Sequence, residues 1–184
     1  ELQVEIAEAD WGRFSSIKTT NLKAYEKFLK GKEHMFRRTE ADLLEARKLA
    51  QEAIGLDPKY GGAYNLLAHT HLDDVWFWRT KDRAKSLQTA EQLTQKAIDL
   101  SGEDSDSLRL LSMVFLQRNQ HEKALIVAQK AVESAPSSAE NHFMVGFILR
   151  FIGRYDEAIL SLEKAIRLNP VSPIFYLNNL AFAY

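Results

Sequence analysis

The sequence predicts an all-α chain, a right-handed superhelix of repeated helix pairs (an α-solenoid) with about four repeats and the start of a fifth. Three observations predict it. Leu111-Ser112, Phe115, Ala124, Ala128, Ala131 and Pro136 recur 34 residues later as Val145-Gly146, Leu149, Ala158, Leu162, Ala165 and Pro170. Each copy carries its large-small apolar pair early and its alanines late, which suits two antiparallel helices that come closest at small side chains. Each copy also closes on a proline, which cannot continue a helix.

A 34-residue period with this distribution is the signature of a tetratricopeptide (TPR) array. Such arrays bind other proteins and rarely do chemistry. Residues 19–58 form the first repeat, with a helix A of less regular pattern, a helix B marked by Ala46 and Ala53, and a stop at Asp57-Pro58. The second, 59–103, carries Tyr64, Leu67, Ala68 and His71 on helix A and Ala90 and Ala97 on helix B. Its pattern fits only if about ten residues, 73–82, are inserted, including Trp76, Phe77 and Trp78. Residues 104–138 and 139–172 are the third and fourth repeats. In the fourth, Gly153 supplies the left-handed turn between helices. Residues 173–184 match the first helix of a fifth repeat, one residue late. Residues 1–18 are an extension, the tail of a preceding domain, with a short helix over about 2–9. Thr19 or Thr20 is expected to cap the first repeat helix.

The charge balance, 24 basic against 25 acidic, gives no global field for nucleic acid or an anionic membrane. Basic groups at Arg37-Arg38 and at Arg79, Lys81, Arg83 and Lys85 sit among acids and read as solvated helix surface. There is no apolar run able to span a bilayer and no cleavable signal pattern, and cysteine is absent. Thiolate chemistry and cysteine-based zinc sites are excluded, and a cytoplasmic location is expected. Glu1 is no initiator and the helical pattern still runs at Tyr184, so a longer parent protein is expected.

The segment Thr19-Thr20-Asn21-Leu22-Lys23-Ala24-Tyr25, followed by Leu29-Lys30-Gly31, resembles the start of the C-terminal TPR region in bacterial class III adenylate/guanylate cyclase proteins. In these a TolB-like domain precedes the repeats. The likeness continues through residues 50–57, Ala63-Tyr64, the tryptophan-rich insertion, Asn169-Pro170, Pro173 and Tyr176. The resemblance implies a cytoplasmic interaction arm of a signalling protein, with the cyclase chemistry in another domain. Bacterial regulators with an N-terminal winged-helix DNA-binding domain carry similar TPR regions. Their resemblance implies the alternative, a sensor or effector module. Under either implication this segment is non-catalytic, holds no cofactor, and binds neither nucleic acid nor membrane.

In a TPR superhelix the groove lined by helices A is the default ligand surface. Its facing positions fall on Asn65, His69 and Asp73, on Arg109, Met113 and Gln117, on Phe143, Phe147, Arg150 and Phe151, and on Asn178 and Phe182. Aromatic and apolar residues there point to a bound peptide or helix, and Arg109 and Arg150 are candidate carboxylate anchors. The alternative is contact with a neighbouring helix. The Lys/Asn/Asn/Lys/Arg set of chaperone-binding TPRs is not visible. His69, His71, Asp73 and Asp74 are the one cluster resembling a metal site. Only His69 and Asp73 share a helix face, so two ligands at most converge and no metal is expected. Trp76, Phe77 and Trp78 read either as a recognition patch or, in the preferred reading, as aromatics packed on the adjoining helix pair. Leu177, Leu180, Phe182 and Tyr184 form a repeat face that needs a cover, from which self-association through that end is expected.

Overall fold

The computed structural model describes residues 19–37, 39–171 and 174–184, and these hold helices and no strand. The expected helix near residues 2–9 and the rest of the extension lie outside them. In chain order the helices are α1 (Leu22–Arg37), α2 (Glu40–Leu56), α3 (Gly61–Trp76), α4 (Arg83–Ser101), α5 (Ser105–Gln117), α6 (His121–Ser134), α7 (Ala139–Phe151), α8 (Tyr155–Leu168) and α9 (Ile174–Ala183). Successive helices pack as hairpins.

Odd-numbered helices also touch the next odd-numbered helix: α1 meets α3, α3 meets α5, α5 meets α7 and α7 meets α9. Among the described residues, even-numbered helices touch no other even-numbered helix. This asymmetry makes an inner layer of α1, α3, α5, α7 and α9 and an outer layer of the rest. No helix among the described residues is long and apolar enough to cross a membrane.

Small residues set the pairing. Ala46, Ala53, Ala90, Ala97, Ala124, Ala131, Ala158 and Ala165 have no solvent exposure. At Gly146 even a methyl group would lie 2.7 Å from Leu162 Cγ and 3.0 Å from the Ala158 carbonyl oxygen, so α7 and α8 meet there backbone to backbone. The turns repeat as well. Gly153 (φ 79°) and Asn119 (φ 57°) occupy the left-handed region at the same place in two successive repeats. Glycine does so without cost, and asparagine is among the side chains that tolerate it.

The starts of α2, α4, α5 and α7 share one device, an oxygen side chain accepting from the amide three residues on, whereas α3, α6 and α8 begin without a side-chain cap. Thr39 accepts from Asp42, Asp82 from Lys85, Asp104 from Ser107 and Ser138 from Asn141. At α1 the cap is Asn21, whose Oδ1 accepts from the Ala24 amide at 3.1 Å. This corrects the expectation for Thr19 or Thr20. The Thr19 hydroxyl instead accepts from the Asn21 amide at 3.1 Å and donates to Asp57.

The inserted residues are shared out along the α3–α4 hairpin. α3 has 16 residues and α4 has 19, whereas α5 and α7 have 13 and α6 and α8 have 14. The lengthened α3 carries Trp76 past α5 to α7, where its ring lies 5.0 Å from that of Phe147. Phe77 and Trp78 do not pack inward. They are 40% and 77% exposed, each under an arginine, Arg79 at 4.8 Å and Arg83 at 4.0 Å. The expected packing of all three aromatics therefore holds for Trp76 alone.

Candidate functional site: the inner face

The inner layer divides the twelve residues singled out from sequence into two groups. The first lies on α3 and α5. Asn65 is buried and donates from Nδ2 to Ser107 Oγ at 2.8 Å, while its Oδ1 has no partner among the described residues. His69 Nε2 lies 3.8 Å from Asp73 Oδ1, and Asp73 is buried. Arg109 donates to Asp106 at 3.3 Å. Met113 packs between two core clusters, and Gln117 accepts from Arg83 at 3.2 Å.

Around Asn65, His69 and Arg109 is a cavity of about 60 Å³, also lined by Phe28, Lys32 and Asp106. Desolvation acts against charge on the Asp106 carboxyl, but Arg109, Lys32 and His69 outweigh it and hold its pKa below the usual carboxylate value. The result is a small pocket of mixed charge. Phe28 and Lys32 come from α1, whose irregular pattern left no register from which to assign them.

The second group lies on α7 and α9 and is aromatic. Phe143 stacks on Tyr176 with centroids 4.4 Å apart and meets Phe147 at 5.6 Å. Phe147 meets Phe151 at 4.9 Å. The Arg150 guanidinium lies 4.8 Å from the Phe151 ring, 5.3 Å from Phe147 and 5.7 Å from Phe182. Burial pulls its pKa below the usual value, with Tyr155 opposing. Beside Phe182, Asn178 and Ala181 open onto a shallow cleft of about 360 Å³.

Asn65, Asp73 and Phe147 are therefore taken up by contacts within and between inner helices. His69, Arg109, Arg150, Phe151, Asn178 and Phe182 remain reachable from the inner face. The His–Asp cluster on α3 does not converge. Asp74 turns to Arg47 of α2 at 2.7 Å, and among the described residues no three His, Asp or Glu side chains gather as metal ligands.

An inner layer of helices presenting side chains to a groove, backed by an outer layer joined through alanines, defines a tetratricopeptide-type solenoid. The sequence model described as anaphase-promoting complex, cyclosome, subunit 3 matches residues 83–165. Among solved structures, a thermophilic TPR protein of Thermus thermophilus superposes with a TM-score of 0.71 at 16% identity, covering 87% of this chain and 80% of that one. PilF of Pseudomonas aeruginosa gives 0.63 at 16% identity, over 94% and 69%. YrrB, described as a TPR protein with an unusual peptide-binding site, gives 0.50 at 20% identity, over 97% and 84%. Among curated proteins, Transcriptional regulator HilA of Salmonella typhimurium is 22% identical over 143 residues, which are 78% of this chain and 26% of HilA. The chain thus spans about a quarter of the length of that relative.

Proposed function

We propose that this chain is a non-catalytic docking module whose inner face holds a peptide or helix from a protein partner. The observation that carries this reading is the chemistry that one layer of touching inner helices presents. That layer holds the mixed-charge pocket at Lys32, His69 and Arg109 on α1, α3 and α5 and the phenylalanine-framed Arg150 on α7. The test is selection of binders from a random peptide display library, followed by competition. Selected peptides are expected to lose affinity on Lys32→Ala and Arg109→Gln, and to keep it on Lys130→Ala and Lys164→Ala of the outer layer. Peptides that bind equally to all four variants, or failure to select any, would contradict the reading.

The module is proposed to regulate a larger cytoplasmic signalling protein by docking a partner or by assembling the chain. The resemblance of residues 19–31 supports a class III cyclase parent with a TolB-like domain. The similarity to HilA supports the second reading, the TPR region of a winged-helix transcription regulator. The coding sequence upstream of Glu1 separates them. Paired metal-binding aspartates there mean the first, a basic winged-helix segment the second. Self-association through the outer side of α9 is also proposed, since Leu177 and Tyr184 are exposed. A monomer by light scattering at high concentration would rule it out.

A further inference from the structure

We propose that Arg150 is a receptor for the carboxylate of an Asp or Glu side chain in the partner, and that large apolar residues flank that acid. The proposal rests on the docking reading above and names the chemistry of its ligand.

Arg150 differs from six of the eight other described arginines. Arg37, Arg47, Arg109, Arg118, Arg154 and Arg167 each stand within 4 Å of a carboxylate. Among the described residues Arg150 has no carboxylate that near, and it faces three phenylalanine rings. Its Nε is shielded from water and has no hydrogen-bond acceptor among the described residues. A partly desolvated cation without an anion is costly, and ring faces supply only part of what water gave. Its remaining guanidinium N–H groups form a planar fork suited to a carboxylate.

The frame around the fork specifies the rest of the ligand. On one side, Trp76 and Phe151 contact each other at 6.2 Å, and Phe151 is 48% exposed. On the other, Phe182 is 73% exposed and borders the cleft lined by Asn178 and Ala181. A segment lying along the inner face with its acid on Arg150 therefore has apolar surface both before and after the acid. That arrangement favours a side-chain carboxylate within a chain over a carboxylate at a chain end.

The test uses the 184-residue chain and nonapeptides capped at both ends, with leucine and phenylalanine flanking a central Asp, Asn or Lys. Binding is read by fluorescence anisotropy. The Asp peptide is expected to bind at least about tenfold more tightly than the Asn peptide, as for a hydrogen bond to a charged group. Its affinity alone should fall with added salt. Arg150→Gln should make the Asp and Asn peptides equal, and Arg150→Lys should keep part of the preference. Melting of each variant checks that it is folded. An Asn peptide with a free C-terminus should bind no better than its capped form.

Equal binding of the Asp and Asn peptides to the unaltered chain overturns the proposal, as does a preference that survives Arg150→Gln. So does a gain seen only with the free C-terminus. If peptides still bind and still depend on Lys32 and Arg109, the docking reading stands while the assignment of Arg150 falls. If none binds, both fall.

Discussion

His69, Met113, Phe147 and Phe182 occupy one register position in successive inner helices, and along that row the surface changes from imidazole to thioether to phenyl. On either side, Asn65 and Asp73 give way through Arg109 and Gln117 to Phe143 and Phe151, and the first of these rows returns to an amide at Asn178. Behind both halves the outer layer is the same, fully buried alanines at equivalent places. The repeat backbone is thus a constant, and the inner row is where this chain varies its chemistry. The α1–α3–α5 half keeps a polar pocket with charges of both signs. The α7–α9 half fills with rings and leaves one cation among them. Trp76 lies at the seam, carried there by the longer α3.

If the seam depends on that ring, Trp76→Ala should have the largest effect. The ring is half-buried, so the loss is expected at about 2–3 kcal/mol, below the 3–5 kcal/mol of a fully buried aromatic. Urea unfolding measures it. A loss under about 1 kcal/mol would mean that the two halves are not coupled through Trp76.

The shared outer layer predicts equal responses in both halves. Ala124→Leu and Ala158→Leu should each overpack a helix pair and cost about 1–3 kcal/mol. A thermal melt that tolerates both would break the register on which the comparison rests.

The polar half should respond to loss of a single hydroxyl. In Ser107→Ala the buried Asn65 amide loses the hydroxyl it donates to, at a cost of about 1–3 kcal/mol. Pairing that change with Asn65→Leu should recover most of the loss, because no polar group is then left unpaired. A double variant no more stable than Ser107→Ala would contradict this.

The smallest effect expected is a pH dependence at His71, on the outer side of α3 toward α2. Burial, aided by Arg47 and opposed by Asp74, lowers its pKa from the ordinary 6.5. Below 6.5 the unfolded chain takes up a proton that the folded chain resists, so stability is full above that pH and falls as pH drops through the folded-state value. His71→Gln should flatten this part of the profile. An unchanged slope would assign the dependence to other groups.

Much of the fold was legible because it rests on short-range rules. The alanine ladder, Gly146, the turn at Gly153 and the prolines each report a local steric need, and together they reveal the helix pairs. The inner face was less legible. Facing positions can be counted along one helix, but counting does not show that Ser107 takes up Asn65, or that Phe147 is covered from two repeats away. Trp76 was read with its neighbours as a single insertion. How ten added residues divide among two helix ends and a loop depends on packing outside the repeat. Lys32 was missed because α1 is irregular, and its place in the pocket follows from the α1–α3 contact.

On the proposed function the inner face binds the partner and the outer layer is scaffold. Backbone NMR shift mapping on the intact chain, titrated with a peptide selected for affinity, tests it most directly. The perturbed amides are expected to cluster at Lys32, His69 and Arg109 and at Arg150, Phe151 and Phe182, with α4, α6 and α8 unmoved. Perturbations concentrated on α4, α6 and α8 would contradict it.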